Sequence, residues 1–167
     1  MQESADRVSE LMENAASDLK KRSERMLYSF SFVPADKLNW SPSATSRSSA
    51  RIVAHCALVC QLVAEALTRK PEESMPSAEE FFKNFRESEV QIATSGEAAN
   101  SLKKAAAELG EAFGMVTAEN IDSEVTVPFG VLPMRSVISF AQEQLAGHVG
   151  QLDYLQTIWG DVDTHAV

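Results

Sequence analysis

The sequence contains three histidines, His55, His148 and His165, and two of them stand where chemistry is possible. His148 lies in the stretch QLAGHVGQLDY, residues 144–154, between the amides of Gln144 and Gln151. At about 100° per residue, Val137, Ala141, Gln144, His148, Gln151 or Leu152, and Leu155 trace one stripe of a helix. Most of that stripe is apolar, so His148 and Gln144 point inward. His55 lies in a second such stripe, with Ile52, Val59, Leu62 and Ala66. A polar group entering a core needs a partner. Two readings meet that requirement. Each imidazole is a core histidine satisfied by a hydrogen bond, or imidazoles from two helices converge on a metal or ligand site, as helical bundles build them.

Cys56 and Cys60 are four apart in AHCALVC, on one side of the same helix, which is an awkward placement for an unstrained disulfide. Reduced core thiols are the expected state. With His55 beside them they offer a partial zinc set, but C-x-x-x-C is a weak signal that still lacks two ligands. Gln151 reads as a structural amide. His165 falls in a tail expected to fray.

The net charge of −9 and the 44 % apolar content over 167 residues indicate one compact domain, residues 1–167. An acidic chain is repelled by nucleic-acid backbones and anionic membranes, so neither is an expected partner. The dense basic group Lys20, Lys21, Arg22 and Arg25 spreads around a helix and reads as a solvated face. The start MQESADRVSE lacks the basic and then apolar regions of a signal peptide. No apolar run approaches the roughly 18 residues of a membrane span. A cytoplasmic location without membrane contact is therefore expected.

Apolar residues at Val8, Leu11, Met12, Ala15, Leu19, Met26, Leu27 and Phe30 mark a first long helix from Ser4 to about Val33, ended by Pro34. PADKLNWSPSATS is loop, with Trp40 its one large apolar side chain. A second helix runs from about Ser46 to Thr68 and is closed by Lys70-Pro71. Ser77-x-x-Glu80 is a capping box for a short helix ending near Phe85. Thr94-x-x-Glu97 reads as another, opening a third long helix to about Val116 with Leu102, Ala105, Ala106, Leu109 and Phe113 inward. Residues 124–130, EVTVPFG, suggest a strand-like turn and no more. Pro133 suits the first turn of a fourth long helix, which Gly160 stops after Trp159. This is an all-α pattern, a four-helix bundle with long connections. The Trp40 loop and the turn around Phe129 are expected to cover one end of it as a lid, with room beneath for a small apolar ligand.

Leu38-Asn39-Trp40-Ser41-Pro42, the helix with Ser46 and Ile52-Val53-Ala54-His55, the turn Val127-Pro128-Phe129-Gly130 and the closing His148-Val149-Gly150-Gln151-Leu152 resemble the DinB-like (YfiT-like) superfamily. The four motifs occur in the right order across most of the chain. The resemblance implies an up-down-down-up four-helix bundle, often a homodimer, with a divalent metal at one end. In that family three histidines hold the metal, one from the second helix and two, four apart, from the last. His55 matches the first ligand and His148 the last, while the middle position is occupied by Gln144. An amide oxygen is a weaker and harder donor than imidazole for zinc, nickel or iron, and Glu143 projects to a different face. Members of known activity are mostly thiol-dependent transferases and a maleylpyruvate isomerase. The resemblance thus implies a metal-dependent enzyme acting on a small molecule with a low-molecular-weight thiol, its metal set being His55, Gln144 and His148. The contrasting reading is a non-catalytic binding or stress-associated bundle that has lost its metal.

Overall fold

The computed structural model describes residues 2–70 and 75–165. Five helices and one hairpin follow in order: α1 (Gln2–Ser31), α2 (Ser49–Thr68), α3 (Ala78–Thr94), α4 (Ala98–Ala112), β1 (Glu124–Val127), β2 (Gly130–Pro133) and α5 (Met134–Ile158). Both α1 and α2 pack against α4 and α5, so these four helices close a bundle around one apolar core. The all-α expectation holds. Phe113, Leu19, Met26, Leu102, Leu109, Leu145 and Leu152 are fully buried at its centre, each contributing about 1.5–3 kcal/mol of burial free energy.

Helix α2 touches all the other helices and is buried nearly all round. That position explains its composition. Contrary to the sequence reading, Ser49–Thr68 is long and apolar enough to cross a bilayer by length and composition, but most of it is buried inside the fold. Its N-terminus is set by Ser48, whose side chain accepts from the Arg51 amide, two residues later than Ser46. Pro71, part of the expected stop, lies outside the described residues.

Helix α1 ends at Ser31, short of Pro34, through tightened bonds from Phe32 N to Ser29 O and Val33 N to Phe30 O. A proline disfavours helical geometry in the residue before it. At the other terminus Gly160 adopts φ +93° and stops α5 as expected.

Three elements depart from the sequence reading. The short helix expected to end near Phe85 is the 17-residue α3. Its capping box is real, Ser77 accepting from the Glu80 amide at 3.2 Å, but the helix continues to Thr94. The second capping box is absent: Thr94 Oγ1 donates back to Val90 and Gln91 carbonyls, so Thr94 closes α3. Gly96, with φ +80°, makes the left-handed break that separates α3 from α4.

The EVTVPFG turn is a true antiparallel hairpin, Val125 pairing with Leu132 and Val127 with Gly130 across Pro128-Phe129. Buried Val125 and Val127 alternate with exposed Glu124 and Thr126, the pattern of a half-buried strand. Pro133 is then the residue just before α5.

The lid expectation is also corrected. Trp40 packs edge-on against Trp159, with ring centroids 5.6 Å apart, whereas Phe129 lies against Phe140 at 6.0 Å. Those partners sit near opposite ends of α5, roughly 28 Å apart at 1.5 Å rise per residue. The loop and the hairpin therefore cover different ends of the bundle. His165 is docked: Nε2 is 2.8 Å from Asp161 Oδ2, and its ring stacks on Phe32 at 4.0 Å.

Candidate functional site

Capping by Ser48 fixes the start of α2 and the direction of its first two turns. Arg51 and His55, four residues apart, thereby fall on one face. Arg47 precedes the cap on the same side. All three meet Glu89 of α3. Oε2 of Glu89 accepts from Arg47 Nε at 3.0 Å and lies 3.1 Å from His55 Nδ1. Oε1 accepts from Arg51 Nε at 3.0 Å and pairs with Arg51 Nη2 at 2.9 Å. The Glu89 side chain is wholly buried.

Burial acts to raise the Glu89 carboxyl pKa, but the hydrogen bonds from His55 and Arg47, with the Arg47 charge, outweigh it and hold the carboxyl below its ordinary value. It is therefore ionised at neutral pH. Sequence reasoning missed this residue. The signal was present: Phe85, Glu89, Ile92 and Ala93 continue one helical stripe, with a carboxylate in an inward slot.

On α5, His148 is buried and its Nδ1 lies 2.8 Å from Gln151 Oε1. Its ring meets that of His55 with centroids 4.7 Å apart and planes at 71°. Burial pushes the His148 pKa below its ordinary value, and the neighbouring His55 and Arg47 push the same way. His148 is therefore neutral at pH 7. Phe85 stands edge-on to His55 at 5.3 Å and walls the pair from one side.

The structure thus joins two of the three expected site residues. Gln144 is half-buried one turn before His148, and among the described residues its amide has no hydrogen bond to either imidazole. Cys56 and Cys60 are free and buried. Burial pushes the Cys60 thiol up to about 12, and burial with the neighbouring Cys60 raises Cys56 as well. Both remain protonated, which removes them as thiolate ligands or nucleophiles at neutral pH.

Whether these residues suit a metal turns on the imidazole tautomers. The Glu89 carboxylate and the Gln151 carbonyl oxygen are acceptors, so each partnered Nδ1 carries a proton and Nε2 is the ring nitrogen that would serve as a ligand atom. A histidine oriented through its far nitrogen by a carboxylate or amide is the usual form of an imidazole ligand. The donor chemistry fits a divalent ion, with two imidazoles as its base. Among the described residues, no group of three His, Cys, Asp or Glu side chains is placed to hold a metal.

The family model described as the DinB superfamily matches residues 6–152. The chain belongs to the DinB superfamily. Among solved structures, a DinB-like protein from Bacillus subtilis superimposes with a TM-score of 0.63 at 14 % identity, covering 90 % of this chain and 94 % of that one. A mycothiol-dependent maleylpyruvate isomerase superimposes with a TM-score of 0.64 at 16 % identity, covering 84 % of this chain. The present chain spans 60 % of that isomerase's length. No curated protein matches the sequence.

Proposed function

We propose that this protein is a divalent-metal, thiol-dependent transferase of the DinB type, with His55 and His148 as imidazole ligands and Gln144 as a weak third donor. The observation that supports the reading is the meeting of two imidazoles from different helices, each fixed through Nδ1 so that Nε2 is the nitrogen without a hydrogen-bond partner among the described residues. A bound Zn, Ni or Fe ion supplies Lewis acidity that lowers the pKa of a thiol at an open position. The chain's own residues supply the rest. Glu89 orients His55 and offsets charge, Gln151 fixes the His148 tautomer, and Phe85 shields the pair from one side. The thiol comes from a small molecule, because the two cysteines of the chain are buried and protonated. A mycothiol-dependent enzyme of the same fold is in keeping with that division of labour. The protein is further proposed to work in the cytoplasm, as a homodimer, on a small molecule.

The test is conjugation of an electrophile by mycothiol, glutathione or cysteine, followed with and without added Zn or Ni. Turnover that requires metal and disappears in His148→Ala supports the proposal. A rate indifferent to both contradicts it.

A specific observation favours a second reading, a metal-free binding bundle. Arg47 and Arg51 outnumber Glu89, leaving a positive excess beside the imidazoles, which opposes a second cation. In that reading Gln144 stands where the metal's middle ligand has been lost.

A further inference from the structure

Beside the histidine pair, the loop before α2, the first turn of α2, Arg86 of α3 and one face of α5 line an open cleft of about 720 Å³, within the range of about 300–1,000 Å³ typical of small-molecule sites. Its lining includes Arg47, Arg51 and Arg86, while no Asp or Glu side chain lines it. In a chain of net charge −9 this is a local inversion of sign. Glu89, behind the wall, takes Nε of Arg47 and Nε and Nη2 of Arg51. The other Nη groups remain as donors. Arg86 forms no ion pair among the described residues. Three guanidiniums against one carboxylate leave two positive charges uncompensated at the cavity.

The floor is equally specific. Gly147 and Gly150 lie inside α5, where glycine costs about 1 kcal/mol each relative to alanine. Packing does not require them, since a Cβ at either position meets no neighbouring atom within 4 Å. Both face the cavity, where the missing side chains leave the helix backbone open to an occupant. Tyr154 and the apolar Ile52 and Leu155 are also part of the walls.

We infer that this cavity binds a small organic acid, its carboxylate held by Arg86 and the spare N–H groups of Arg47 and Arg51, its body lying across Gly147 and Gly150. A guanidinium fork matches a planar carboxylate in two parallel hydrogen bonds. The mixed lining selects an organic anion over a bare ion, which makes no use of the apolar walls. The inference rests on the preceding reading only in placing this ligand beside the reactive pair. Binding itself requires no metal.

The test titrates metal-stripped protein with succinate, benzoate and inorganic phosphate at constant ionic strength, following the backbone amide signals of Gly147 and Gly150. Saturable shifts with a carboxylate at millimolar concentration are expected. Arg86→Ala should weaken that binding by about tenfold or more, with Arg86→Lys partly restoring it. Gly150→Leu should keep the helical spectrum and match or exceed the native thermal midpoint while abolishing binding. The inference is overturned if neither carboxylate gives a saturable shift, if Arg86→Ala binds as well as the native protein, or if phosphate binds as tightly as the best carboxylate. Because no metal is present, failure here and failure of metal-dependent turnover are separate results.

Discussion

The imidazoles of His55 and His148 meet between α2 and α5 with ring centroids 4.7 Å apart, and Glu89 of α3 anchors the first of them through a 3.1 Å contact. A third helix, outside the four that close the bundle, thus controls the tautomer at the centre of the site.

Glu89 holds the site together energetically. Breaking a buried ion pair by removing one partner costs roughly 3–5 kcal/mol. The guanidiniums here keep 37 % and 32 % side-chain exposure, so water recovers part of that, and Glu89→Ala should cost about 2–3 kcal/mol in urea unfolding. The milder Glu89→Gln should also weaken Zn or Ni binding about tenfold, because the hydrogen bond that orients His55 loses its charge. Calorimetric titration of the two proteins measures that second effect.

Acid should destabilise the metal-free protein in two steps of the same sign. The folded-state pKa of His148 lies below its ordinary 6.5, so as pH falls through that value the unfolded chain takes up the proton first and stability declines. The folded-state pKa of Glu89 lies below its ordinary 4.5. Its contribution is complete above 4.5 and is lost as pH falls through the lower folded value. His148→Gln should remove the upper step and leave the lower. Unfolding free energies measured along the pH range show which step disappears.

Neither cysteine should react in the native state. With Cys60 shifted to about 12 and Cys56 also raised by burial, thiolate is scarce at neutral pH and the reagent cannot reach it. Labelling by a thiol-specific disulfide reagent should therefore be slow in buffer and immediate in denaturant. A Cys56→Ala, Cys60→Ala protein should show unchanged metal uptake in the same titration used for Glu89→Gln.

Gln144→His tests whether Gln144 stands at the metal position. Replacing an amide oxygen by imidazole should tighten Zn or Ni binding on the order of tenfold or more if Gln144 faces the metal position. Unchanged affinity would remove Gln144 from the ligand set.

Long, regular apolar stripes made α1, α2 and α5 readable from residues alone, and with α2 and α5 came His55 and His148. Helix α3 was not readable past Phe85. There the stripe contains Glu89, and a charge in an inward position looks like the end of amphipathic periodicity when it is a buried carboxylate paired with Arg47, Arg51 and His55. Thr94 misled for a related reason. Three residues before Glu97 it satisfies the capping pattern, yet Gly96 between them takes the left-handed conformation that makes Thr94 an ending. The arginine-lined cleft was hidden because Arg86 of α3 lies far in sequence from Arg47 and Arg51 at the start of α2, and only folding brings them to one wall.

The most direct measurement is the metal content of the full chain purified without an affinity tag, read by elemental analysis before and after exposure to Zn, Ni, Fe and Mn. Stoichiometric metal in the native protein, lost in His148→Ala while the fold is retained, is the predicted result. Absence of stoichiometric metal from the native protein, even after soaking, would contradict the proposed metal-dependent function and leave His55 and His148 as a polar pair of a metal-free bundle.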